Sequence, residues 1–303
     1  MMSLKLCVIG AAVVMVCLLT GRAWAGEPQA GLFETQFTGR TPAAAVANLK
    51  MRFGERRVRD DPDTDYEIAD IKWTVYVPEK DFRPTKKFGV LVWLSDDPAP
   101  TLAPEYQAVM AEHDLIWIAP QGGLTQPVWH VYGFALDAVH NLRKQYRIDT
   151  KRLHVGGVGD GGRLGVRIAI ANSDVFGGAM ASGSLDWFRR VDFPSNALMR
   201  WPEAYNQPSG NALGLARQNV HFALYINPHE SRDTQYMATI YKGMGELRFR
   251  NIHTIDVATT GIMPTPDEWR MGVAWMQGKT PVIDKTAPPA DSGGADAAKS
   301  DHP

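Results

Sequence analysis

The sequence predicts an α/β fold with a doubly wound, mostly parallel sheet in a single domain. The first observation is that two unbroken apolar runs, 90–94 and 115–119, have the pattern of central strands covered on both faces. The second is that strand patterns alternate with helical patterns along most of the chain. The third is the length of 303 residues, which suits one large domain.

The elements before the first central strand are few. The chain from residue 26 is loop-like until Thr41-Pro42, which predicts the start of a short helix ending near Met51. Residues 71–77 alternate apolar and polar side chains, which predicts a half-exposed strand. We therefore expect an N-terminal extension over 26–65 and the main domain over 66–280.

The remaining elements follow at regular spacing. A helix at 104–112 separates the two central strands, and the next helix carries one apolar face, formed by Val131, Phe134, Ala135, Ala138, Leu142 and Tyr146. Further strands are predicted at 153–157, 176–182, 220–226 and 252–257, with a helix at 162–171. Thr265-Pro-Asp-Glu268 is a capping box, which predicts a last helix ending near Met276.

The two ends of the chain do not fit this pattern. Lys5, an apolar run over 6–19 and Ala23-Trp-Ala25 predict a signal peptide over 1–25, with export to the periplasm or outside the cell after cleavage near Ala25. The run is shorter than the roughly 20 residues that span a bilayer, so we expect no membrane span after cleavage. The Pro-, Gly-, Ala- and Ser-rich residues 281–303 predict a disordered tail.

Composition excludes several classes of function. Both cysteines, Cys7 and Cys17, lie in the predicted signal, so the mature chain is expected to have neither disulfides nor thiol chemistry. A formal charge of −1 predicts no nucleic-acid partner. No metal site and no cofactor are predicted, because the histidines lack the spacing of metal ligands; they include His113, His130, His140, His154 and His221.

One motif carries most of the functional information. Residues 153–157 read as a strand, and Gly157-Val-Gly-Asp-Gly161 then has the form of the turn Gly-x-Ser-x-Gly, with Gly159 in place of serine. With the preceding Ile148-Asp-Thr-Lys-Arg152, residues 71–277 resemble the α/β-hydrolases around exported polyhydroxybutyrate depolymerases and feruloyl or acetylxylan esterases. The resemblance implies a Ser-Asp-His triad in that order and an oxyanion hole.

The matched positions lack most of that chemistry. Gly159 stands at the nucleophile position, and Ile262 stands where the resemblance implies the histidine. The second oxyanion donor would come from the turn after 90–94, where Asp96 and Asp97 place two carboxylates. Negative charge there would destabilise a developing oxyanion.

The acid position has two candidates. Glu230 follows the strand at 220–226 and could replace the usual aspartate, with Asp233 as the second choice. His229 stands beside it but does not fit the role of the base without rearrangement. We therefore predict a catalytically degenerate hydrolase-like protein that binds a ligand or partner.

Two alternatives stay open. One is an active ester hydrolase with a relocated nucleophile, for which Asp160, Ser182 and Ser184 are candidates. The other is a dinucleotide-binding protein, because residues 157–162 also match Gly-x-Gly-x-x-Gly, with Asp186 as the acid for a ribose.

The segment 185–219 interrupts the alternation of strands and helices. It carries Trp187, Phe188, Arg189 and Trp201, which predict a lid-like insertion that binds a ligand at the carboxyl ends of the strands. Aromatic faces suit a saccharide or a phenolic ester, and arginines suit a carboxylate. The alternative is a loop whose aromatic rings pack against the sheet.

Overall fold

The computed structural model describes residues 28–53, 64–193, 196–227, 231–258 and 261–280. The predicted signal peptide and the predicted disordered tail lie outside these residues, and so do His229 and Glu230. Within the described ranges, no helix is both long and apolar enough to cross a membrane.

The strands account for the predicted sheet. In chain order they are β1 (Gly31–Gln36), β2 (Lys72–Val77), β3 (Lys87–Leu94), β4 (Leu115–Pro120), β5 (Arg147–Val158), β6 (Gly178–Ser182), β7 (Val191–Phe193), β8 (Asn196–Trp201), β9 (His221–Ile226) and β10 (Ile252–Asp256). Eight of them form one sheet in the order β1-β2-β4-β3-β5-β6-β9-β10, and β7 pairs with β8 separately.

The helices lie between these strands, except for α7, which follows the last one. They are α1 (Val46–Phe53), α2 (Pro104–Glu112), α3 (Val128–Gln145), α4 (Asp160–Ala171), α5 (Gly210–Asn219), α6 (Ser231–Glu246) and α7 (Pro266–Met276). The predicted bounds of the second helix, 104–112, are confirmed. The capping box of α7 is also confirmed, with the Thr265 hydroxyl accepting from the Glu268 N–H and the Glu268 carboxylate accepting from the Thr265 N–H.

The sheet confirms the predicted fold class. Strands β4, β3, β5, β6, β9 and β10 run parallel to one another, whereas β1 and β2 are antiparallel to their neighbours. The carboxyl ends of the parallel strands therefore lie along one edge of the sheet, which we call the crest. Helices cover both faces, because α2 and α7 pack in one apolar cluster while α1, α3, α4, α5 and α6 contribute to the other.

Three expectations for the first part of the chain are wrong. Residues 31–36 are not loop but strand β1, which pairs with β2 along its whole length. Strand β2 is not half-exposed: Thr74 and Tyr76 are 6% and 5% exposed, because alternate side chains enter the two apolar clusters. Thr41 precedes a 3-10 turn (Pro42–Ala44) without a side-chain cap, and the α-helix starts only at Val46.

The segment 185–219 contains regular structure that the sequence did not predict. The antiparallel pair of β7 and β8 brings Val191 opposite Trp201, and helix α5 follows. Ser209 caps α5, since its hydroxyl accepts a hydrogen bond from the Ala212 N–H. The segment is therefore a folded part of the domain.

Candidate functional site

The turn between β5 and α4 has the backbone of a nucleophile elbow. Gly159 adopts φ 52° and ψ −125°, a region that glycine enters without the steric cost that other residues incur. Its N–H donates to the Ser182 carbonyl at 2.8 Å, and its own carbonyl accepts from the Arg163 N–H at 3.1 Å. The residue at the apex has no side chain, so the turn holds no nucleophile there.

The two flanking glycines are required by packing. A Cβ on Gly157 would lie 2.3 Å from the Leu94 carbonyl oxygen, and one on Gly161 would lie 2.0 Å from it. The end of β3 therefore docks on the turn only because both positions are glycine. This close approach accounts for the glycine-rich pattern without a bound dinucleotide.

Ile262 occupies the place of a base above the apex. A Cβ on Gly159 would have the Cδ1 of Ile262 as its nearest neighbour, at 3.7 Å, which is ordinary van der Waals contact. Ile262 and the next residue, Met263, are 36% and 38% exposed. The structure thus places position 262 beside position 159. Because the side chain of Ile262 is an alkyl chain, it cannot transfer a proton.

The acid side of the site contains a residue that the sequence analysis missed. Asn227 directly follows β9, is 5% exposed, and donates its amide N–H to the Gly261 carbonyl at 3.4 Å. The signal was its position at the end of a parallel strand, where ligand-binding residues collect. The roles of His229 and Glu230 stay predictions, since both lie outside the described residues.

Three of the described histidines lie on strands of the sheet and away from the elbow. His154 lies five residues before Gly159 on β5, a distance of roughly 16 Å along a strand. His221 is in the same row, because both it and His154 pair with Gly178. His253 lies on the edge strand β10, with its ring 5.0 Å from that of Trp275.

Burial keeps the central histidine neutral. His154 is fully buried on β5, and neither ring nitrogen has a hydrogen-bond partner among the described residues. Desolvation, reinforced by the positive charge of Arg152, lowers its pKa to about 3. Its ring also requires glycine at the neighbouring position, because a Cβ on Gly178 would lie 2.4 Å from the Nδ1 of His154.

Two of the three candidates for a relocated nucleophile, Asp160 and Ser182, have partners of their own. The Asp160 carboxylate is 72% exposed and forms an ion pair with Arg163 at 2.7 Å, typical of a helix's first turn. Ser182 is 2% exposed, and its hydroxyl donates to the Ile262 carbonyl. Ser184 is half-buried.

The turn after β3 keeps its carboxylates at the crest. The Ser95 hydroxyl accepts from the Asp97 N–H at 3.0 Å, and the Asp97 carboxylate accepts from the Ala99 N–H at 2.9 Å. Asp96 and Asp97 are exposed. The Ser95 and Asp97 side chains thus close the turn, and the carboxylates of Asp96 and Asp97 can only accept hydrogen bonds, so neither offers a donor to an oxyanion.

A buried ionic network lies behind the elbow. Asp186 is 2% exposed and accepts from Arg163 Nε at 3.0 Å and from Arg167 Nη2. Arg167 also donates to the Tyr132 hydroxyl at 2.7 Å. The expectation that Asp186 could bind a ribose is therefore wrong, because its carboxylate is buried and neutralised by two arginines.

The aromatic residues of the insertion pack inward. Trp187 and Phe188 are 2% and 4% exposed, with ring centroids 4.3 Å apart. Trp187 also meets Phe249 at 5.9 Å, and Phe188 meets Tyr205 at 5.9 Å. These contacts match the alternative of a loop whose aromatic rings pack inward. Either ring could contact a ligand only if it first became exposed.

The other two insertion residues are less informative. Arg189 is exposed, and its neighbour Arg190 approaches Glu203 at 3.8 Å. Trp201 ends β8, opposite Val191. Ligand binding by Arg189 and Trp201 stays a prediction.

A cavity of about 460 Å³ lies away from the elbow. It is lined by α1, the carboxyl end of α4 and the amino end of α5, with Met51, Arg52, Ser173 and Ser209 among its residues. Because α4 starts at the crest, its carboxyl end lies at the opposite edge of the sheet. This cavity is therefore separate from the residues that the sequence matched to catalysis.

Comparisons with known proteins identify the fold. No family model and no curated protein matches the chain. A solved structure of a ferulic acid esterase aligns with a TM-score of 0.51 and 14% identity, over 83% of this chain and 99% of that one. A putative dipeptidyl aminopeptidase IV from Bacteroides ovatus aligns with a TM-score of 0.52 and 14% identity.

The two alignments differ in extent. The second covers 82% of this chain but only 35% of the aminopeptidase, so this chain spans about a third of that protein's length. Together with the strand order and the elbow, they show that the chain has the α/β-hydrolase fold. At this level of identity the likeness extends to the fold alone.

Proposed function

We propose that this is an exported hydrolase-fold protein that has lost ester hydrolysis and uses its crest to bind a small molecule, such as a saccharide or an ester. Export is supported by Lys5, the apolar run over 6–19 and the cleavage pattern ending at Ala25. The loss of chemistry is supported by the elbow itself.

One observation carries the proposal. The apex Gly159 has the strained backbone of a nucleophile, yet the side chain facing it is the alkyl chain of Ile262, 3.7 Å from where a Cβ would be. Acyl transfer needs a nucleophile and a base within hydrogen-bond reach. Neither group stands at these two positions, while exposed Ile262 and Met263 give the crest an apolar surface for a ligand.

Absence of hydrolysis is tested on the unaltered protein. We expect no labelling by a fluorophosphonate probe and no hydrolysis of p-nitrophenyl acetate above that of a Ser182→Ala, Ser184→Ala variant. Stoichiometric labelling of any serine would instead support an active enzyme with a relocated nucleophile.

Stepwise repair tests the assignment of the two positions. Gly159→Ser alone should give almost no turnover, because triad members act as a unit. Adding Ile262→His should raise turnover at least about tenfold, since a general base contributes about 10²–10⁴ in favourable cases and Asp96 and Asp97 still oppose an oxyanion. Gly159→Ser with Met263→His is the matched control, and equal gains in both double variants would contradict the assignment of Ile262.

Ligand binding is tested by thermal shift. Phenolic esters and oligosaccharides that bind the folded state should raise the midpoint of unfolding of the unaltered protein. Ile262→Asp should abolish the shift, because a carboxylate replaces the apolar contact at the crest. Met51→Asp, which alters a side chain 77% exposed on α1, should leave the shift intact. A shift that survives Ile262→Asp would place the ligand elsewhere.

A further inference from the structure

The segment of residues 261–264 is fastened to the crest by three side chains from three different elements. The Ser182 hydroxyl, at the end of β6, donates to the Ile262 carbonyl. The Asn227 amide, after β9, donates to the Gly261 carbonyl at 3.4 Å. The Tyr106 hydroxyl, on α2, donates to the Pro264 carbonyl at 2.9 Å. Three of four successive carbonyls are thus held by side-chain donors.

Ser182 links this segment directly to the elbow. Its carbonyl accepts from the Gly159 N–H at 2.8 Å, while its hydroxyl holds Ile262. The residue is 2% exposed, so water competes little for either bond. The apex and the side chain above it are therefore positioned by a single buried residue.

The fit of Ile262 depends on a second glycine. Gly183 has φ +76°, and a Cβ there would lie 2.6 Å from the Cγ2 of Ile262. The missing side chain leaves a notch into which the isoleucine fits, beside the empty apex of Gly159. The three side-chain donors, the notch and the alkyl chain all favour one position of the segment.

We propose that residues 261–264 form a self-blocking plug, in which Ile262 covers Gly159 in the free protein and Ser182 is the positioning residue that holds it closed. A ligand that contacts Ile262 at the crest then reaches the apex only by breaking the Ser182 bond and moving Ile262 aside. This gives the crest a closed and an open state. The inference rests on the proposed function only in assigning the opening of the plug to a ligand. The closure itself can be measured without any ligand.

A thiol at the apex reports the closure. In the full chain carrying Cys7→Ser and Cys17→Ser, Gly159→Cys provides the only thiol, and its alkylation by iodoacetamide is timed in the folded and the urea-unfolded protein. We expect slower labelling in the folded state. Ser182→Ala should accelerate it about fivefold, the factor corresponding to about 1 kcal/mol for one lost hydrogen bond, and Tyr106→Phe should also accelerate it. Ser184→Ala, the matched control, should have no effect.

A second reporter covers the case in which Gly159→Cys fails to fold. Ile262→Cys in the same cysteine-free chain keeps Gly159 and places the thiol on the plug itself, where Ser182→Ala should again accelerate labelling. If the folded Gly159→Cys chain is labelled as fast as the unfolded one, or if Ser182→Ala leaves the rate of either reporter unchanged, the plug does not exist. A failed ligand screen with accelerated labelling would overturn the ligand role alone.

Discussion

At the scale of the residue, the stability of a Gly159→Ala variant tests whether the backbone at Gly159 is strained. Strain would make the variant less stable, whereas the reduced entropy of its unfolded chain would make it more stable. Gly159→Ala has room for its Cβ, since the nearest atom would be 3.7 Å away, so the cost comes from φ 52° alone. We expect the change to lower the free energy of unfolding by roughly 1–3 kcal/mol. At a relaxed position the reduced entropy of the unfolded chain would instead stabilise the protein by about 0.4–1 kcal/mol.

Gly214 gives the matched control for that measurement. It lies within α5, has no φ in the left-handed region, and a Cβ there would have no neighbour within 4 Å. Gly214→Ala should stabilise the protein by up to about 1 kcal/mol, because alanine has the higher helix propensity. Urea unfolding of both variants distinguishes them, and a raised midpoint for Gly159→Ala would show that the turn is not strained.

Single residues at the site were predictable where a motif fixed their place. The spacing around Gly159 indicated the elbow, and the position before α7 indicated Ile262. The network of Asp186 with Arg163 and Arg167 was not predictable, because the loop that carries Asp186 meets α4 only in the folded sheet. Asn227 was missed for the same reason, since its role depends on a carbonyl 34 residues away.

At the scale of the element, the two predicted helix caps behave differently. The Thr265 hydroxyl accepts from the Glu268 N–H at 3.3 Å, whereas Thr41 makes no side-chain cap. Thr265→Ala should therefore lower the free energy of unfolding by about 0.5–2 kcal/mol. Thr41→Ala should have little effect, and equal losses in the two variants would contradict the structural difference between the caps.

Elements were predictable where local sequence and tertiary environment agreed. The apolar runs of β3 and β4 leave only a central place in the sheet, so their type and position followed from the sequence. Strand β1 was missed because only its first residue is buried, so that no apolar alternation indicates its pairing with β2. The predicted exposure of β2 was wrong because alternate side chains of this strand pack into two separate apolar clusters.

At the scale of the whole molecule, the doubly wound topology separates the side chains of the crest from the buried histidines of the sheet. The crest collects the ends of β3, β5, β6 and β9, while His154 lies on the central strand well below it. Parallel pairing fixes this separation, because residues in one row of the sheet stay in one row. We therefore expect His154 and His221, which share one row of the sheet below the crest, to affect stability and not the site.

The pH dependence of folding follows from these histidines. Burial lowers the pKa of His154 to about 3, and it also lowers the pKa values of His113, His221 and His253 below their ordinary 6.5. A histidine with a lowered folded pKa takes up its proton mainly on unfolding, so its stabilising contribution is full above pH 6.5 and is lost as the pH falls. Asp174 affects stability only at lower pH. The Arg52 hydrogen bond lowers the pKa of its carboxyl below 3.8, so its stabilising contribution is lost as the pH falls below about 3.8.

Between pH 7 and pH 4.5 the protein should thus lose stability on the order of a few kcal/mol, mostly through His154, because one unit of pKa corresponds to about 1.4 kcal/mol. His154→Leu removes the titrating group and places an apolar side chain in the same buried position. Urea unfolding at several pH values should then give a much flatter slope for His154→Leu than for the unaltered protein. Asp137 acts in the opposite sense, since burial raises its pKa, but it is common to both chains and cancels in the comparison. Equal slopes in both chains would mean that folding does not lower the pKa of His154, and would contradict the burial of a ring that has no hydrogen-bond partner among the described residues.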